Sequence, residues 1–187
     1  MVNRQGRSIA LIGMMGAGKS FVGRCLHCRT GLVLHDTDEA IAANFGMSIP
    51  DIFVKHGEKK FREAETAALR GMRTEEQTII VTGGGIVLHK ENVEILTSRA
   101  VIVWLDGAEE TLFARASREK SRPLLQTKNP RKTFSEILGA RRPLYASIAD
   151  IRVDTSVLTD EEVAVAILAK FRRMNAKGKS PVPVKAS

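Results

Sequence analysis

With 187 residues, 43% hydrophobic and 27% charged, the chain has material for one domain with a real core and helices on both faces of a sheet, which excludes extensive disorder and two substantial independent domains. The net charge of +8 is spread over periodic segments rather than gathered into one stripe, so nucleic acid is not the expected partner; an enzyme that handles anionic phosphates also needs converging cations. No long apolar segment follows the N-terminal MVNRQGR, and a soluble cytoplasmic protein without membrane contact is expected.

The first apolar run, Ser8 to Ile12, reads as a buried strand and leads into GMMGAGKS, Gly13 to Ser20. This is the spacing of a phosphate-binding loop in the context the loop requires, a strand before it and a helix after it. Backbone N–H groups of Gly13, Met14, Met15, Gly16, Ala17 and Gly18 would surround phosphate oxygens, with Lys19 reaching the β- and γ-phosphates, Ser20 holding Mg²⁺ and Phe21 following in the helix. Cys25 and Cys28 fall inside that helix as a Cys-x-x-Cys pair with no second pair to complete a zinc site, so packed or incidental free thiols are expected rather than redox or metal chemistry.

A second strand is predicted over Gly31 to Leu34, and beyond it stand Asp36 and Asp38. Carboxylates at i and i+2 at the carboxyl end of a parallel strand face the crevice where open α/β sheets build their sites. Asp36 is assigned to Mg²⁺ through water and Asp38 to a second substrate, where it could orient an alcohol and accept its proton; the competing reading is a strand-end turn and helix cap. His35 reads as structural or partly exposed. Arg62 lies near the start of an apparent helix with Glu65 three residues on, either a surface pair or an arginine turned inward to grip a carboxylate.

The third run, Thr78 to Val81, ends in Thr82-Gly83-Gly84-Gly85, a second glycine-rich edge that permits close backbone approach to a small polar ligand. A fourth strand follows at Ala100 to Leu105, and the polar stretch Arg118 to Lys132 then interrupts the pattern as a candidate moving lid. Helical periodicity resumes over Phe134 to Ile148, and a fifth run spans Asp150 to Val153. The last helix opens with Thr159 and Glu162 at capping-box spacing, and the segment 174–187 reads as a flexible basic tail. Short Ile- and Val-rich runs alternating with helical segments predict an α/β fold with a five-stranded parallel sheet.

In this order, GMMGAGKS, Asp36-x-Asp38, FREAE from Phe61, TGGG from Thr82, SRPLL from Ser121 and RRPLY from Arg141 resemble the shikimate kinase family over about 90% of the chain. The resemblance implies a P-loop, nucleoside-monophosphate-kinase-like three-layer α/β/α domain over residues 1–173, with a lid at about 117–131 and a shikimate-binding subregion at about 36–65. It implies transfer of the γ-phosphoryl group of ATP to the 3-hydroxyl of shikimate, with Mg²⁺ as cofactor, within a monomer. Lys19 and Ser20 then serve nucleotide and metal, while Asp38, Arg62, the Gly83, Gly84 and Gly85 backbone and Arg141 contact shikimate. Arg122 becomes the lid arginine that approaches the transferring phosphate, Arg115 a residue flanking adenine, and Arg142 the variable neighbour of Arg141. The alternatives are a kinase of another small acceptor, such as gluconate or a nucleoside monophosphate, and a non-enzymatic nucleotide-dependent interaction protein. The acceptor constellation separates them, because it suits a compact polyol bearing a carboxylate.

Overall fold

The computed structural model describes residues 7–72, 76–118 and 122–177. Five strands, β1 (Ser8–Ile12), β2 (Val33–Asp36), β3 (Thr78–Val81), β4 (Ala100–Asp106) and β5 (Ile151–Asp154), form one sheet in the order β2-β3-β1-β4-β5. Every pairing is parallel, with Leu11 opposite both Val81 and Val103. Beta1 and β4 are buried at every residue, which explains why their sequences run continuously apolar instead of alternating. The strand order reverses direction at β1, so the loop that leaves its carboxyl end opens at the switch point where such sheets hold ligands.

Around the sheet lie α1 (Lys19–Thr30), α2 (Thr37–Phe45), α3 (Ile49–Gly71), α4 (Lys90–Arg99), α5 (Glu109–Ala116), α6 (Pro130–Ile148) and α7 (Asp160–Lys177). The expected capping box is formed: Thr159 N donates to Glu162 Oε2 at 2.8 Å and Glu162 N to Thr159 Oγ1 at 3.3 Å. Helix α7 continues to Lys177, past the predicted tail boundary at 174, because Phe171 still packs against the core; residues 178–187 lie outside the described residues. Beta2 begins and ends two residues later than the apolar run suggests. It is an edge strand with Val33 46% exposed, so hydrophobicity does not mark its limits and Asp36 becomes its final residue.

Most apolar side chains join one core between sheet and helices. A second, smaller cluster holds Ile41, Ile52 and Phe61 between α2 and α3, with Phe53 packed on Phe61 at a ring-centroid distance of 4.6 Å. Helix α3 bends at Gly57, whose φ of 78° and ψ of 168° leave the helical region. The segment over 36–65 therefore carries its own packing, and α3 joins the main core beyond it through Leu69. Among the described residues no helix is long and apolar enough to cross a membrane.

Candidate active site

The loop after β1 turns on three glycines with positive φ, Gly13 (142°), Gly16 (82°) and Gly18 (83°), a region that side chains with a Cβ rarely occupy. A Cβ on Gly13 would sit 2.3 Å from the Leu105 carbonyl oxygen, and one on Gly16 would sit 2.2 Å from that of Leu112. Main chain is pressed on main chain, and the side chains of Met14, Met15 and Ala17 are buried. What the loop offers a ligand is therefore its backbone N–H groups and the N-terminus of α1, an anion site by construction. Lys19 folds back over the loop, its Nζ donating to Gly13 O at 2.9 Å and Met14 O at 3.0 Å. Burial lowers its ammonium to about 8, the charges of Asp38 and Asp36 opposing the fall while Arg122 and Arg141 add to it. Phe21 is exposed, with the Arg24 guanidinium 4.6 Å above its ring.

Asp36 forms the helix cap that was one of its two readings and keeps its second oxygen toward the phosphate loop. Its Oδ1 caps α2, accepting from Asp38 N at 3.0 Å and Glu39 N at 3.4 Å, while its Oδ2 accepts from Ser20 Oγ at 3.0 Å. A hydroxyl and a carboxylate converging beside a phosphate loop are hard oxygen donors, and Mg²⁺ characteristically takes one or two such protein ligands and completes its shell with water and phosphate. Cys25 and Cys28 are free thiols, Cys28 exposed.

Across the loop, Asp38 leans from the first turn of α2 with its Oδ1 buried and without a hydrogen-bond partner among the described residues. Burial, then the Asp36 charge, pushes its carboxyl above the usual range, against the pull of Lys19, Arg62 and Arg122. Arg62 and Glu65 are not the surface pair that spacing alone allowed. Arg62 Nη1 donates to Glu65 Oε2 at 2.6 Å, with the Glu65 side chain fully buried, and Arg62 Nη2 donates to Glu58 Oε1 at 2.9 Å. Glu65 Oε1 is a second buried carboxylate oxygen without a partner among the described residues. Burial raises this carboxyl too, although Arg62 opposes the rise.

The glycine turn fits beneath these groups because it has no side chains. A Cβ on Gly83 would stand 2.7 Å from Glu65 Oε1 and 3.0 Å from Asp38 Oδ1, and one on Gly85 would stand 2.3 Å from Arg62 Nη1. Thr82 anchors the turn to β1, its Oγ1 donating to Leu11 O at 2.9 Å. Buried Arg141 approaches from α6, its Nη1 3.7 Å from where a Gly84 Cβ would be.

Lys19, Asp36, Asp38, Arg62, Arg122, Arg141 and the glycine turn thus lie in one cluster, within electrostatic or contact range of one another. Arg115 lies apart, donating to Thr155 Oγ1 at 3.2 Å and Thr155 O at 2.9 Å in the loop after β5; it is half-buried and held rather than solvated. Arg142 turns the other way, donating to Asp106 Oδ1 at 3.0 Å and Gly107 O at 2.8 Å. Buried Asp106 also takes Arg152 at 2.6 Å, so it ties α6 to the ends of β4 and β5. Asp106 and Tyr145 went unnoticed in the sequence, although Tyr145 stands four residues after Arg141, where helical side chains share a face.

The shikimate kinase family model matches residues 15–172. The chain belongs to the shikimate kinase family. A shikimate kinase from Thermodesulfovibrio yellowstonii is 40% identical over 169 residues, covering 90% of this chain and 97% of the relative. The solved shikimate kinase from Acinetobacter baumannii in complex with shikimate is 35% identical, with a TM-score of 0.86 over 91% of this chain and 95% of that one. A gluconokinase from Sinorhizobium meliloti shares the fold at 18% identity and a TM-score of 0.60. As a shikimate kinase the chain is an ATP-dependent phosphotransferase of aromatic amino-acid biosynthesis, with a P-loop α/β fold.

Proposed function

We propose that this chain phosphorylates the 3-hydroxyl of shikimate with Asp38 as the proton acceptor, and the observation that carries the assignment is the buried, unpartnered Asp38 Oδ1 in a cluster that holds four cations. A carboxylate oxygen withdrawn from water and left without a protein partner calls for a donor from the substrate, and an alcohol is such a donor. The raised pKa of Asp38 makes it a better base for a hydroxyl that becomes acidic only as its oxygen bonds to phosphorus. The hydroxyl oxygen attacks the γ-phosphorus, the bond to the β-phosphate oxygen breaks, ADP leaves, and the alcohol proton passes to Asp38 and then to solvent.

The cations divide the remaining work. Lys19 and the loop N–H groups hold the phosphates in line, and Arg122 neutralises charge on the transferring group. Arg141 receives the shikimate carboxylate, while Arg62, held by Glu65 and Glu58, contacts the ring substituents beside the Gly83, Gly84 and Gly85 backbone. Ser20 and Asp36 would hold Mg²⁺, Asp36 through water, and the bound ion would screen the phosphate charges. Arg115, fixed by Thr155, flanks the adenine. The segment 117–131 serves as the lid that excludes water; its residues 119–121 lie outside the described residues. All these groups come from one chain, so a monomer suffices for turnover, and the protein works in the cytoplasm.

The test is phosphorylation of shikimate by the purified protein with ATP and Mg²⁺, beside gluconate and nucleoside monophosphates. Selective formation of shikimate 3-phosphate is expected. Asp38→Asn should lower kcat by about 10²- to 10⁴-fold, the usual worth of a positioned base, with folding and ATP binding retained. Turnover of shikimate by that variant at the unmodified rate would remove Asp38 from the mechanism.

A further inference from the structure

The RRPLY segment holds a group that the phosphoryl-transfer account leaves unused. Tyr145 is fully buried on α6, and its hydroxyl donates to Gly84 O at 2.5 Å. Gly84 is the middle residue of the glycine turn, and Arg141 stands one helical turn before Tyr145 with its Nη1 facing the same glycine.

A phenol has one O–H donor and two lone pairs, a carbonyl oxygen can only accept, and a guanidinium can only donate. The contact with Gly84 O therefore commits the single phenol hydrogen, leaving Tyr145 Oη only lone pairs to offer. Arg141 supplies the complement: its Nη1 lies 3.7 Å from where a Cβ on that same glycine would be, and its positive charge bears on the phenol. Burial pushes the phenol up to about 12 against that influence, so the O–H stays in place and the polarity of the arrangement never inverts at working pH. The ring cannot swing away, being enclosed in the core with its centroid 6.1 Å from that of Trp104.

We propose that Tyr145 is a positioning residue for the acceptor: by donating to Gly84 O it presents its lone pairs to Arg141 and fixes the guanidinium that takes the substrate carboxylate, so that one hydroxyl sets the preference for an anionic acceptor over a neutral one. This rests on the assignment of Arg141 to the carboxylate. A guanidinium held at one edge offers its remaining N–H pair in a fixed fork, and such bidentate geometry gives charge-assisted bonds their specificity. Without the hydroxyl, Arg141 keeps its charge and loses its aim.

Tyr145→Phe removes one oxygen and leaves the ring to pack. The expected result is a rise of about tenfold in KM for shikimate, equivalent to one hydrogen bond to a charged group, with KM for ATP unchanged. Discrimination between shikimate and its methyl ester, measured as the ratio of kcat/KM values, should shrink by a similar factor. A merely structural role would lower both substrates alike and leave that ratio intact, which would overturn the inference. Arg141→Lys separates the two layers: if it leaves the ester ratio unchanged, the carboxylate assignment itself fails, whereas a collapsed ratio in Arg141→Lys with a normal one in Tyr145→Phe defeats only the role of Tyr145.

A second measurement needs no variant that must fold. Tyr145 is the only tyrosine of the chain, so protein grown with 3-fluorotyrosine gives a single ¹⁹F resonance that belongs to it. Shikimate at saturation should shift that resonance and ATP alone should not; a resonance unmoved by shikimate would sink the proposal.

Discussion

The phosphate end and the proposed acceptor end of the site are built by opposite means. The first is a contiguous stretch, Gly13 to Ser20, that works through backbone and sits on the backbone of β4 and α5. The second gathers side chains from α2, α3 and α6 above a turn that follows β3. A backbone site is specified by where side chains must be absent, and a side-chain site by which groups are present and what holds them. Substitutions should therefore fail differently at the two ends, through steric exclusion at one and through loss of aim or charge at the other.

The largest expected effect lies between the two ends. Arg122 influences both Lys19 and Asp38 electrostatically, which sets its charge between the phosphate loop and the proposed base. Arg122→Ala should lower kcat by about 10³-fold, the lower range for an arginine that stabilises a transferring phosphoryl group, while ATP affinity measured by calorimetry changes less than about threefold. Equal losses in both would assign Arg122 to ground-state nucleotide binding and blur the division.

Next comes the glycine turn beneath the proposed acceptor end. In Gly85→Ala the new methyl would meet the Arg62 guanidinium at 2.3 Å, and that group cannot yield freely because Glu65 and Glu58 hold it. About a 100-fold fall in kcat/KM for shikimate is expected, roughly the worth of a hydrogen-bonded charge, with nucleotide binding intact. Gly46→Ala is its counterpart: φ is 63° with nothing within 4 Å of the added carbon, so it should cost about 1 kcal/mol of stability from left-handed strain and no activity. Loss of shikimate turnover in the Gly46 variant would contradict the steric account.

The phosphate end has its own signature in pH. The Lys19 ammonium of the free protein titrates at about 8, and bound phosphate favours the charged form, so binding takes up a proton once pH exceeds that value. ATP affinity should be flat below pH 7 and about tenfold weaker by pH 9. The same depression means the unfolded chain holds more protons between about 8 and 10.5, so this group raises folding stability as pH climbs through that window. Affinity independent of pH would show Lys19 ionised throughout. The smallest effect is remote from both ends: Arg29→Ala breaks the exposed pair with Glu161 that joins α1 to α7, at a cost below about 1 kcal/mol in thermal denaturation and none in kcat.

The loop geometry at the phosphate end was legible in the sequence because its determinants are neighbours in the chain. The acceptor end was legible as an inventory and not as an arrangement. Asp38, Arg62 and Arg141 could be named from their segments, but helical spacing could not say that Glu65 is buried, since that depends on α3 lying over a turn that begins 17 residues further on. Asp36 looked like a choice between cap and ligand, whereas a carboxylate has two oxygens and the structure uses each. Arg142 seemed incidental because its partner Asp106 lies 36 residues away. Beta2 slipped by two residues because an edge strand that ends in His35 and Asp36 has no apolar contrast to mark it.

The small cluster of Ile41, Ile52 and Phe61 bears on how such an enzyme changes over generations. Packing that closes within α2 and α3 lets the apolar side chains of this cluster be exchanged without refitting the sheet core, since substitutions that share no neighbours act nearly independently. The phosphate loop, wedged against the main chain of β4 and α5, has no such latitude. Substitution is expected to be sterically confined at one end and more freely accommodated at the other, so that new acceptors can be tried on an old engine.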